Sequence, residues 1–245
     1  MKTLADITVV TYSNSNCADV WPMYLGQLQK HAGSLQHHLF ADGGDVPAFG
    51  LMTLYNSDDP YYLQWTKCLK NVNTDYVIYM QEDFVLYDDV DYAALQRYVN
   101  FLESSDYSFV RLIRANFDMS SRPIRDDLFE VNQSNEDIFH MQATLWKKSD
   151  IEKLYLEAKS VKWLEAPHWR DAARKLDIRG AFAYNGERFR GKYHCDSAVF
   201  PYICTAVSRG KWNMNEYGAE LTPLLEKYSI DPQVRGARKD YNYGK

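Results

Sequence analysis

Short apolar runs alternate with amphipathic stretches along this chain, an order that predicts buried strands with helices between them. Residues 7–11 (Ile7, Thr8, Val9, Val10, Thr11) form a β-branched run that predicts a first strand, with a polar loop over 12–16. Trp21, Leu25 and Leu28 then fall on one stripe of a helix over 19–31, and Gly33 stands just past its end. His38, Leu39 and Phe40 lead into a second strand that ends on Asp42 and two glycines. A short third strand is predicted over 51–54 and a helix over 61–71, from which Lys67 is directed toward the crevice or into solvent. The run 76–80 (Tyr, Val, Ile, Tyr, Met) is too continuous for a half-exposed strand and too short for a helix, so it predicts a buried central strand.

The second half is read the same way. Leu95, Tyr98, Val99 and Leu102 give a core face to a helix over 91–104, and 108–113 returns to strand pattern. The stretch 120–127, with its Pro and polar residues, predicts a surface loop. Strands follow over 129–131 and 138–146, then a helix from 147 with Ser149 as N-cap and Glu152 closing a capping box. A stretch over 163–176 with two tryptophans, amphipathic as a helix over 169–176, a short run at 182–184, a polar loop and an apolar helix over 200–207 complete the pattern. The fold class is therefore α/β: a Rossmann-type mixed sheet flanked by helices. One domain is expected, with a nucleotide-binding half over about 1–90 and a C-terminal acceptor-side portion over about 91–245.

Composition narrows the function. A hydrophobic content of 46% and a charged content of 25% belong to a globular protein, and the net charge of −5 argues against a nucleic-acid partner. Cys17, Cys68, Cys195 and Cys204 form no CxxC pair, which fits scattered thiols in the cytoplasm. No run approaches the roughly 18 apolar residues of a membrane span, so membrane contact would be peripheral. The basic, aromatic tail 228–245 is one segment for such contact; a disordered terminus is the other reading.

Candidate chemistry concentrates after the central strand, where Glu82 and Asp83 follow Gln81 directly. Acids at the carboxyl end of a central strand border the ligand crevice of an open α/β sheet and can hold a hard cation on a phosphate; the alternative is the start of a solvated loop. Neither a GxGxxG fingerprint nor a Walker loop occurs. Asp42 is placed to accept a hydrogen bond from a base or ribose, or simply to sit in a turn. Late in the chain, Glu165 and Asp171 lie among tryptophans in a region suited to an acceptor.

The segments ITVVTYSN, FADGGD, DYVIYMQED, HMQATLWKKSDIEKL and YHCDSAVFPYICTAVSRGKWN, in this order, resemble the nucleotide-sugar glycosyltransferases of the GT-A type, especially small bacterial enzymes that build surface glycans. That resemblance implies a nucleoside diphosphate sugar as donor, a UDP-sugar foremost, and a glycan or lipid-linked acceptor in surface polysaccharide synthesis. It implies that Thr11, Tyr12, Asn14 and Asp42 hold the nucleotide. The family's Asp-x-Asp motif, which binds ribose and the divalent metal, falls on Gln81, Glu82 and Asp83, departing at its first position and leaving Asp83 as the best ligand of Mn²⁺ or Mg²⁺ with Glu82 as a substitute. His194 matches a late metal-binding histidine by position, and Asp171 or Glu165 would serve as catalytic base if the linkage inverts. Rival readings are a sugar nucleotidyltransferase and a silent binder of the same fold.

Overall fold

The computed structural model describes residues 2–45, 48–115, 121–132, 142–159, 168–190 and 194–238. In chain order the strands are β1 (Ile7–Tyr12), β2 (Gln36–Ala41), β3 (Leu51–Leu54), β4 (Tyr76–Gln81), β5 (Val85–Leu86), β6 (Phe109–Arg111), β7 (Pro123–Arg125) and β8 (Leu128–Glu130). They continue with β9 (Thr144–Lys147), β10 (Gly180–Ala183), β11 (Phe189–Arg190), β12 (His194–Cys195), β13 (Tyr202–Ile203), β14 (Val207–Ser208) and β15 (Lys211–Trp212). The helices are α1 (Trp21–Ala32), α2 (Tyr61–Leu69), α3 (Tyr92–Glu103), α4 (Lys148–Glu157), α5 (His168–Lys175), α6 (Met214–Lys227) and α7 (Pro232–Arg235).

Nine strands form one mixed sheet in the order β3-β2-β1-β4-β9-β6-β10-β8-β7. β3, β2, β1 and β4 run parallel, while β9 and β8 are antiparallel to their neighbours. β1 and β4 lie side by side, β4 bordering the antiparallel β9, and are buried along their length except at their last residues, Tyr12 and Gln81, which pair in register. From β1 the chain builds outward to β2 and β3, then returns to add β4 on the other side. The carboxyl ends of β1 and β4 therefore flank a switch point, where a doubly wound sheet opens a crevice.

Aromatic residues fasten the helices to this half. Trp65 of α2 stacks on Tyr155 of α4 at 4.8 Å and on Tyr12 at 5.3 Å, and Trp169 of α5 meets Tyr155 edge-on at 5.1 Å. α2, α4 and α5 thus pack on one another, with Trp169 in the core between them. Gly180 in β10 lies under the Phe109 ring, where an added Cβ would stand 1.9 Å from a ring carbon.

The expected mixed α/β sheet is present, and four local readings change. Residues 200–207 are not helical but two short strands joined by a turn: Tyr202 and Ile203 pair with Leu86 and Val85, a use that suits β-branched and aromatic side chains. Ser149 does not cap α4, which starts at Lys148 after an extended Lys147 without a side-chain cap. Pro123–Arg125 is an edge strand, where proline's missing N–H costs no ladder bond. Part of the tail 228–245 is folded: it forms α7, and Ala237 bridges to Trp212. The start of the strand expected over 138–146 lies outside the described residues.

Candidate functional site

Glu82 and Asp83 follow β4 at the switch point. Asp83 is 8% exposed, and the chain entering the hairpin β14–β15 closes over it: the Ala206 N–H donates to the Asp83 carbonyl at 2.9 Å. Burial, then the neighbouring Glu82 charge, raises the Asp83 carboxyl well above the usual carboxylate range, against the pull of the Val207 N–H and of Arg235. Glu82 is half-buried and faces the thiol of Cys17; burial and then Glu82 push that thiol up to about 12, so it is not a nucleophile.

Loop 13–19 forms the other wall. Asn14 caps a 3-10 turn by accepting the Asn16 N–H at 3.1 Å. Asp42, at the end of β2, accepts the Ser15 N–H at 2.6 Å and the Ser57 hydroxyl at 3.1 Å. Partial burial alone would raise Asp42, but the Ser15 and Ser57 hydrogen bonds outweigh it and hold the carboxyl below its ordinary value. Asp42 is thus the fastener of this loop, with lone pairs left for one further donor.

Other expected site residues support the crevice from below. The Thr11 hydroxyl is fully buried against the Tyr24 hydroxyl at 2.5 Å and His37 Nε2 at 3.0 Å, so its side chain cannot touch a ligand. Tyr12 stacks on Tyr55 and Trp65 and gives its hydroxyl hydrogen to Gln64, which commits ring and hydroxyl to the loop's foundation. The Gln81 amide donates to the Tyr79 hydroxyl at 3.1 Å. Lys67 pairs with Asp59 at 2.6 Å on the surface, the solvated alternative of the sequence reading.

The late residues are placed differently. His194 in β12 is kept neutral, its pKa pushed down to about 3 by burial and then by the Arg111 charge. Its ring, Glu82 and Asp83 do not bring ligand atoms within 4.8 Å of one another; among the described residues only His31, Asp88 and Asp89 do so. His194 is therefore not a third ligand beside the acid pair in this structure. Asp171 is exposed on α5 with Arg170 Nε 3.7 Å from its carboxylate, and Glu165 lies outside the described residues.

Arg235, absent from the sequence expectations, completes the site. It reaches from α7 to loop 13–19, bonding Asp19 and the Asn16 carbonyl, and its charge bears on both Cys17 and Asp83. An Asp-Pro start and a glycine stop around α7 were the available signal that this tail segment is ordered.

Two adjacent carboxylates fit part of the oxygen shell of a hard cation, and the burial that disfavours the Asp83 anion is relieved by a dication. No helix among the described residues is long and apolar enough to cross a membrane.

No family model matches the chain, and no curated protein matches it in sequence. Solved structures do match in fold. The galactosyltransferase LgtC, solved with donor and acceptor sugar analogues, aligns over 93% of this chain and 98% of its own at TM-score 0.51 and 10% identity. TarS of S. aureus aligns over 96% of this chain and 40% of its own at TM-score 0.50 and 11% identity. A cytidylyltransferase of Leptospira borgpetersenii aligns over 97% of this chain and 99% of its own at TM-score 0.46 and 12% identity. The chain resembles the GT-A glycosyltransferases in fold, with its acid pair at the carboxyl end of the central strand.

Proposed function

We propose that this protein uses a nucleoside diphosphate sugar, a UDP-sugar foremost, and transfers the sugar to a glycan or lipid-linked acceptor. The observation that carries the reading is the acid pair Glu82–Asp83 at the β1–β4 switch point, opposite a loop fastened by Asp42 and beside the guanidinium of Arg235. The LgtC fold, known with donor and acceptor analogues, supports it. So does the absence of a glycine-rich phosphate loop after β1, a loop that a nucleotidyltransferase normally carries.

Breaking a glycosyl phosphate bond leaves negative charge on the departing diphosphate, and stabilising it is the largest catalytic demand. Asp83, with Glu82 beside it, would hold Mn²⁺ or Mg²⁺; the ion would supply Lewis-acid neutralisation of that charge. Loop 13–19 and Asp42 would position the nucleoside. If the linkage inverts, a carboxylate must take the acceptor hydroxyl proton, and Asp171 is the described candidate.

The test is thermal unfolding with UDP and MnCl₂, followed by UDP release from a UDP-sugar panel. At 100 times the dissociation constant, binding stabilises by about 2.7 kcal/mol. A melting rise that needs both additives and disappears in Asp83→Ala is the expected result. No rise in wild type, together with no release from any donor, defeats the proposal.

A further inference from the structure

Arg235 comes to the crevice from the far end of the chain, and the surrounding segment is built to bring it there. Asp231 caps α7 by accepting the Gln233 N–H at 2.8 Å, Pro232 starts the helix, and Gly236, at φ 75°, ends it. Beyond it the chain is pinned to β15: the Trp212 N–H donates to the Gly236 carbonyl at 3.0 Å, and the Arg238 N–H donates to the Trp212 carbonyl at 2.8 Å. Just before the same hairpin, the Ala206 N–H donates to the Asp83 carbonyl at 2.9 Å. The acid and the arginine are thus set by one small unit.

The guanidinium grips Asp19 with two groups. Nε donates to one carboxylate oxygen at 2.6 Å, Nη2 bonds the other, and Nη2 also donates to the Asn16 carbonyl at 3.2 Å. The Arg235 side chain is only 14% exposed, whereas that of Asp19 is 42% exposed. Asp19 is therefore a solvated partner for a largely buried cation, and exposed carboxylates contribute little to an ion pair. A guanidinium fork fits phosphate as well as carboxylate, and a diphosphate offers more charge to the same donors.

We propose that Asp19 and the donor's diphosphate compete for Arg235: the fork held by Asp19 in this structure binds the phosphates of the nucleotide sugar. This inference rests on the proposed function, since a diphosphate must be the ligand. Arg235 would then share with the cation held by the acid pair the work of neutralising the leaving group.

Titration calorimetry with UDP, CDP and GDP first identifies a diphosphate that the wild-type protein binds; its monophosphate and nucleoside are then compared in the variants. Arg235→Ala should weaken the diphosphate by about 10- to 100-fold, the size of a charge-assisted contact, and the nucleoside by less than about 2-fold. Arg235→Lys should restore part of the loss. Asp19→Asn, which removes the competitor, should tighten the diphosphate by about 2- to 5-fold. A purely structural arginine predicts the opposite for Asp19→Asn, a loss shared by diphosphate and nucleoside.

An unchanged ratio of diphosphate to nucleoside affinity in Arg235→Ala overturns this inference and leaves the proposed function standing. Wild-type protein that binds none of the three diphosphates overturns both. If circular dichroism shows Arg235→Ala to be unfolded, Asp19→Asn decides: tighter binding supports the competition and weaker or equal binding ends it.

Discussion

Asp83 concentrates the tension between folding and function in one side chain. Its carboxyl is buried next to a like charge and held by backbone N–H groups, which leaves its anion poorly stabilised in the fold. Because its folded pKa lies above the unfolded value of about 3.9, it opposes folding increasingly as pH rises above that value. Asp83→Asn keeps an acceptor for the Val207 N–H and removes the charge. We expect this variant to gain about 1 kcal/mol at pH 7.5, roughly 2–4 °C in melting temperature for a chain of this size, while losing the response to UDP and Mn²⁺. A lower melting temperature in Asp83→Asn would show that the carboxylate is structural. At this scale the sequence displayed Glu82 and Asp83 because they directly follow an apolar run. It could not display the bonds of Arg235 to Asp19 and Asn16, because contacts across more than 200 positions leave no local pattern.

At the scale of elements, periodicity carried the long pieces and failed on the short ones. α1, α3 and the parallel strands have enough repeats to be read, whereas β13 and β14 are two residues each and owe their conformation to partners elsewhere. Apolar residues 200–207 matched a helix in composition, and only pairing with Leu86 and Val85 made Tyr202 and Ile203 extended. The close approach of β6 and β10 likewise depends on a single glycine. Gly180→Ala should cost about 1–3 kcal/mol through overpacking against Phe109, seen as a lower urea midpoint with an unchanged slope. Adding Phe109→Leu should recover part of that loss. Full additivity of the two changes would mean that the ring is not what Gly180 accommodates.

Over the whole molecule, the nine-stranded sheet places β1, β2 and β4 so that loop 13–19, Asp42 and the acid pair meet at one edge. The βαβ order at the start of the sequence foretold that edge, while the closing hairpin and the C-terminal arm were legible only once folded. The same sheet buries His37, whose pKa is pushed down to about 3, chiefly by burial. The unfolded chain takes up that proton near pH 6.5 and the folded one only near 3, so the unfolded state binds more protons between them. The contribution of His37 to stability should therefore be flat above about pH 6.5 and turn against folding as pH drops toward 3, read as the change with pH in the urea-midpoint difference between wild type and His37→Gln. A difference between the two proteins that does not change across that window would contradict the burial of His37.

The most direct test of a nucleotide-sugar site at the β1–β4 switch point is a crystal structure with UDP and Mn²⁺, using the manganese anomalous signal. The prediction is a diphosphate between Asp83 and Arg235, with the anomalous peak within about 2.0–2.6 Å of a carboxylate oxygen of the acid pair. UDP ordered at another surface, or Asp83 still sealed under Val207 with no peak beside it, would contradict the site.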